Sequence, residues 1–236
     1  MEETNFDEMV QIPAATYVYR VVHRIMEGDC AYDHGPMIMH IKPFKMSKYP
    51  VTNAMYYEFI QATGYHPSDD HNFLKHWING KYPREKANEP VVWISQQDAK
   101  AYAEWKGGRL PHDWEWQFAA AGKNNDPYPW GKEPDQSRCN CNGAGLTPVD
   151  QYVNGASPFG IMDMIGNARE WTEDVFDDGM HLFTLLRGGC YYKAPHFWHT
   201  DGGMVQTNHH LKFQLLSEGQ NRCGTTSFRI VKENDV

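Results

Sequence analysis

The sequence has little of what would make it a membrane span, a polyanion binder or a disulfide scaffold. No apolar run approaches the roughly 20 residues that a helix needs to cross a bilayer, and the mean hydropathy is −0.68. Lys and Arg number 22 against 30 Asp and Glu, a net charge of −8. No Lys/Arg run offers a stripe for a nucleic-acid backbone. Five cysteines, an odd count at low density, argue against a disulfide framework. Cys139 and Cys141, one residue apart, are poorly placed to pair with each other. No fixed-period repeat and no Ser- or Pro-rich linker divides the chain. The acidic start MEETNFDEMV lacks the basic-then-apolar order of a signal peptide. A complete chain is therefore expected in the cytoplasm, and a chain trimmed of its signal outside it.

What is present is aromatic and full of breakers: 14% Phe, Trp and Tyr, with 20 Gly and 14 Pro in 236 residues. That mix is too rich in large side chains for disorder and too rich in breakers for a helical bundle. Residues 9–22 read as strand from their Ile, Val, Tyr and Thr content, and 36–49 alternate loosely as a second, half-exposed strand. Thr52 caps a helix whose Met55, Phe59, Ile60 and Thr63 share a face, closed by Gly64. Ser95 and Asp98 form a shortened capping box ahead of Ala99, Tyr102, Ala103 and Lys106, stopped by Gly107-Gly108. Pro111 opens a third helix, with Asp113 and Glu115 at its positive end, Trp116, Ala119 and Ala120 on its inner face, and Gly122 closing it. Its His112 predicts a weakened cap, the ring accepting from a backbone N–H. From about residue 123 onward the chain holds turns and isolated aromatics, pointing to a loop-rich α+β domain. Such loops need staples: buried aromatics, hydrogen bonds or bound metal.

Seven stretches occur in order: MVQIPAATY, YPVTNAMYYEFI, PVVWISQQDAKAYAEWKGGRLPHDWEWQFAAAG, YPWG, FGIMDMIGNAREWTED, LLRGGCYY and SFRIV. Together they resemble the formylglycine-generating enzyme family, also called sulfatase-modifying factors, over roughly residues 9–232. The resemblance implies one domain spanning residues 1–236 with an irregular, C-type-lectin-like α+β fold, often stapled by calcium. In the segment around GNAREW, the family's calcium position falls on Asp163, Ile165, Gly166, Ala168 and Glu170. Two carboxylates with carbonyls between them would supply most of the six to eight oxygens that calcium takes. The competing reading is that both acids cap turns or pair with Arg169 or Arg187. A second calcium loop matches SRCNCNGAGLTPVD, where only Asn140, Asn142 and Asp150 offer side-chain oxygen, too few for an occupied site.

The enzymes of this family bind copper through two cysteines three and eight residues after the position of Cys190. Lys193 and Trp198 stand there instead, and neither an ammonium nor an indole replaces a soft thiolate. Copper, and with it formylglycine generation, is not expected. Two readings remain. In one, Cys190, Tyr191, Tyr192, Lys193, His196, Trp198 and His199, with Trp77 and Trp93, line a groove for a peptide, glycan or small-molecule ligand. In the other, His196, His199 and one of Asp201, His209 or His210 hold iron(II) for an oxidoreductase. Cys139 and Cys141 are a weak soft-metal signal, and a plain reduced pair is the simpler reading. Trp105, Trp114, Trp116, Trp130 and Trp171 read as core staples. Arg187 and Arg229 read as buried and ion-paired with Glu115 or Glu170.

Overall fold

A computed structural model describes residues 4–27, 30–192 and 203–234, with the backbone alone for 23–27 and 30–34. The architecture is α+β. A three-stranded antiparallel sheet joins β1 (Met9–Ile12), β4 (Phe44–Ser47) and β9 (Val231–Glu233), in the order β1-β4-β9. A six-stranded sheet runs in the order β3-β2-β7-β6-β5-β8, from β2 (Ala15–Glu27), β3 (Cys30–Ile41), β5 (Arg169–Asp177), β6 (Leu182–Arg187), β7 (His209–Leu215) and β8 (Thr226–Ser227). Each strand segment expected from sequence is in fact two strands in different sheets. The break after Ile12 coincides with Pro13, which lacks the N–H a ladder needs. Among the described residues, no helix is long and apolar enough to cross a membrane.

The three expected helices form, and their punctuation follows local chemistry. In α1 (Asn53–Thr63) the Thr52 hydroxyl accepts from Met55 N–H, and Gly64 ends the helix in the left-handed region. At α2 (Gln96–Trp105) the Ser95–Asp98 box is closed from both sides, at 3.2 and 2.7 Å. The third, α3 (Asp113–Ala121), starts two residues later than Pro111 predicts, with His112 at the cap. The His112 ring is directed at Asp174 (3.0 Å), whose other oxygen accepts from Asp113 N–H at 2.8 Å. A carboxylate from β5 thus does the capping that the imidazole was expected to do. A fourth short helix, α4 (Glu218–Asn221), completes the set.

Three buried arginine–carboxylate pairs hold the irregular half to these elements. Arg187 spans Asp113 with two bonds (2.5 and 2.6 Å), Arg229 spans Glu170 (2.7 and 2.6 Å), and Arg222 reaches Asp98 (2.7 Å). The sequence placed Arg229 with Glu170 among its alternatives, but Arg187 takes Asp113, while Glu115 goes to Arg109 on the surface side. Trp116 and Trp171 are wholly enclosed, each with its indole N–H satisfied, by Glu170 and by the Ile94 carbonyl. Trp77, expected in a groove, is a core residue that donates to Asn53 Oδ1 at 2.9 Å.

Candidate functional site

Cys190 follows β6 directly, and the chain that leaves it returns at Gly203, whose N–H donates to the Cys190 carbonyl at 2.8 Å. The neighbouring Tyr191 N–H donates to Asn167 O (2.9 Å), which hangs this segment on the GNAREW turn. Within it the Cys190 thiol is fully enclosed and donates to Tyr192 O at 3.4 Å. Burial pushes that thiol up against the opposing pull of the Arg169 guanidinium, so it stays protonated near neutral pH. Burial likewise raises the Tyr191 phenol, with a smaller push from Cys190 and Cys223. Tyr192 is the exposed member, at 48%. Lys193, His196, Trp198, His199 and Asp201 lie outside the described residues.

On the far side of β5 the neighbourhood continues into the buried β8 and the half-buried residues that precede it. Arg169 N–H donates to Thr225 O (2.8 Å) and its guanidinium to Thr225 Oγ1 (3.2 Å). Cys223 Sγ lies 3.5 and 3.1 Å from the Thr225 and Thr226 hydroxyls. Trp93 N–H donates to Cys223 O at 2.9 Å. Cys190, Arg169, Tyr191, Cys223 and Trp93 are therefore one neighbourhood drawn from four separate chain segments. The sequence had singled out Cys190, Tyr191 and Trp93, but nothing in it brought Arg169 to them.

The histidines proposed for iron do not all remain on that surface. His209 and His210 begin β7 and pair with Val22 and His23 of β2. The His210 ring is buried, 4.0 Å from Asp113 in the Arg187 cluster. Cys139 and Cys141 are enclosed free thiols. Their mutual hydrogen bond, then burial, drives the Cys139 thiol far up, which makes it inert rather than nucleophilic. Among the described residues no three His, Cys, Asp or Glu side chains converge as a metal cluster.

At the expected calcium position, Asp163 and Glu170 have different environments. Glu170 already accepts from Arg229 with both oxygens and from Trp116 at 2.7 Å. It has little capacity left for a cation. Asp163 is enclosed; its Oδ2 accepts from Asn167 at 2.8 Å, but its Oδ1 has no hydrogen-bond partner. Burial pushes its carboxyl up to about 7. The turn that holds it is sterically fixed: Gly166 has φ +86°, and a Cβ there would sit 2.6 Å from Asn140 O. In the second loop, Asn140 donates to Gly145 O, Thr147 Oγ1 and Asn167 Oδ1, so its amide fastens that loop to the first.

A serine/threonine-protein kinase, pkn1, of Chlamydia caviae is 29% identical over 185 residues, 67% of this chain and 30% of that protein. The inactive C-alpha-formylglycine-generating enzyme 2 of Mus musculus is 28% identical over 199 residues, 64% of each. The chain spans only 30–50% of the length of the first curated relatives it matches. Among solved structures, PvdO from Pseudomonas aeruginosa superposes with a TM-score of 0.67 at 20% identity, covering 95% of this chain and 94% of that one. This likeness extends to the fold alone, the irregular C-type-lectin-like α+β fold expected above. The family model for the sulfatase-modifying factor enzyme 1-like domain matches residues 1–232, and the chain therefore belongs to the sulfatase-modifying factor, or formylglycine-generating enzyme, family.

Proposed function

We propose that this domain lacks the thiol chemistry of its family and binds a polar ligand, a peptide or glycan, across the face of Tyr191 and Tyr192, beside the enclosed Cys190. The observation that carries this reading is the state of Cys190. Its thiol is enclosed, protonated and committed to Tyr192 O, beside an exposed tyrosine ring. The two positions where the family's copper thiols fall hold Lys193 and Trp198, which offer no soft ligand. Rigid rings beside polar groups suit recognition, because ordering them costs little entropy. The remaining candidates from sequence, Lys193, His196, Trp198 and His199, lie outside the described residues.

Two measurements test it. Incubation with copper(I), oxygen and a peptide carrying the sulfatase cysteine motif should leave the thiol intact by mass spectrometry. Conversion above a protein-free control would restore the enzymatic reading. A panel of immobilised peptides and glycans should then yield a ligand whose retention falls in Tyr192→Ala. A stoichiometric iron signal that disappears in His199→Ala would replace binding by the oxidoreductase.

Calcium belongs to this proposal as a structural ion. The Asp163 Oδ1 atom, buried without a partner, supports a cation held by Asp163 and the carbonyls of Ile165, Gly166 and Ala168. Glu170 would contribute only by loosening its hold on Arg229.

A further inference from the structure

The first half of β2 has a strand on one side only. On the other side β7 pairs with β2 at Val22 and His23. Before that point the chain of β7 turns away, Thr207 N–H donating to Pro127 O at 2.8 Å. Among the described residues no strand runs beside residues 14–20 on this edge. Two side-chain amides stand in for one. Gln117 accepts from Arg20 N–H (3.4 Å) and donates to Arg20 O (2.6 Å). Asn125 donates to Val18 O at 3.1 Å and accepts from the Tyr17 hydroxyl at 2.7 Å. In an antiparallel ladder, alternate residues turn both main-chain groups to the same side. Arg20 and Val18 therefore point away from β3, and Thr16 points with them. The amides reach no further than Val18 O. Among the described residues no loop or side chain bonds to Val18 N–H or to the main chain of Thr16. A cavity of about 520 Å³ lies at this place, lined by residues 14–18, Phe118 and 123–125. Successive strand residues face opposite sides of a sheet, so a cavity that touches all five lies along the edge. The enclosed rings of Tyr17 and Phe118, with centroids 5.2 Å apart, form its inner side. Thr16 and Val18 are its exposed side. No carboxylate lines it, so it offers a cation no anchor.

We infer that this open edge is a docking site for a short extended peptide of a partner protein, added as a strand in the line that β7 takes up from Val22 onward. The site shares no residue with the Tyr191–Tyr192 face and does not depend on it. The peptide main chain donates to Thr16 O and accepts from Val18 N–H, and such main-chain bonds give an added strand its affinity. Residues 14–18 leave room for roughly four peptide residues at about 3.3 Å each. Alternate side chains of the peptide fall on Tyr17 and Phe118, so a sequence with every second residue apolar fits best. A glycan fits less well, because its hydroxyls do not repeat donor and acceptor at strand spacing.

Amide hydrogen exchange read by NMR tests the edge itself. Thr16 and Val18 should exchange much faster than Tyr17 and Tyr19, whose N–H groups face β3; equal protection overturns the inference. The binding probe is the blocked hexapeptide acetyl-Val-Thr-Val-Thr-Val-Thr-amide, which should protect Val18 N–H. Failure of this peptide to bind overturns the inference too. N-methylation of its valines and of its threonines blocks opposite edges of the added strand. One methylated form should bind about tenfold more weakly than the other, and equal binding of the two refutes strand addition. Thr16→Pro removes an N–H that β3 does not use, so the ladder should persist while the peptide binds about tenfold more weakly. A peptide retained in Thr16→Pro but lost in Tyr192→Ala would belong to the other face and overturn this site. So would edge protection that appears only with a concentration-dependent dimer, the occupant then being a second copy of this chain.

Discussion

Replacing Asp113 by Asn should cost a large part of the fold's stability. Its carboxylate faces Arg187 through bonds of 2.5 and 2.6 Å, accepts from the Tyr19 hydroxyl, and has His210 at 4.0 Å. Both partners of the ion pair are almost wholly enclosed. The remaining guanidinium donors go to the carbonyls of Thr207 and His209, at 2.9 and 3.1 Å. Asn can satisfy hydrogen bonds but not the charge, so the variant leaves a guanidinium buried and uncompensated. Breaking such a pair from one side costs about 3–5 kcal/mol, against roughly 5–15 kcal/mol for a whole domain. Replacing both partners, as Asp113→Leu with Arg187→Met, should cost far less, since paired charges and apolar side chains of similar volume come near to balancing.

Urea denaturation of the parent, the single and the double variant reads both numbers, with the slope checked for constancy. The pH dependence carries a second signature. Burial alone would raise the Asp113 carboxyl, but Arg187, then His210, outweigh it and hold the group well below the usual carboxylate range. A depressed acid contributes stability that is present above its unfolded value, near 4, and is lost as the pH falls towards the folded one. The parent should therefore lose stability below about pH 4, and the double variant should lose less. A cost under about 1 kcal/mol for Asp113→Asn, or a double variant as damaged as the single, would refute the reasoning.

Other expectations follow from the same geometry. Chelator should lower the melting temperature, because an ion that binds only the native state stabilises it by mass action; Asp163→Ala should abolish that response, and an unchanged melting curve would remove the calcium. His112 is raised chiefly by its bond to Asp174. Its stabilisation is thus full below about pH 6.5 and fades as the pH rises through the higher folded value, a slope that His112→Ala should flatten in pH-resolved denaturation. Gly166→Ala combines a left-handed backbone with a 2.6 Å approach to Asn140 O and should cost about 2 kcal/mol or more by urea titration. Thr52→Ala removes the cap on Met55 N–H and should cost only about 1 kcal/mol.

Local chemistry wrote the helices into the sequence. Thr52 and Gly64 bracket α1, and Ser95 with Asp98 opens α2, because a cap is satisfied within three or four residues and needs no distant partner. The aromatic, breaker-rich composition likewise implied loops stapled by buried groups, and the motif order carried the family. Tertiary structure decided what the staples are and where the site lies. Asp98 serves its cap and also Arg222, 124 residues away, while Arg187 chose Asp113 over nearer acids. Sequence spacing carries no information about such pairs, since a buried arginine needs one carboxylate of the right geometry from anywhere in the chain. Trp77 and Trp93 looked alike as candidates. One is sealed into the core by Asn53, and the other is held at a surface by a left-handed backbone. Arg169 and Cys223 joined Cys190 only because β8 pairs in parallel with β5, a register set by the assembled sheet rather than by any run of residues.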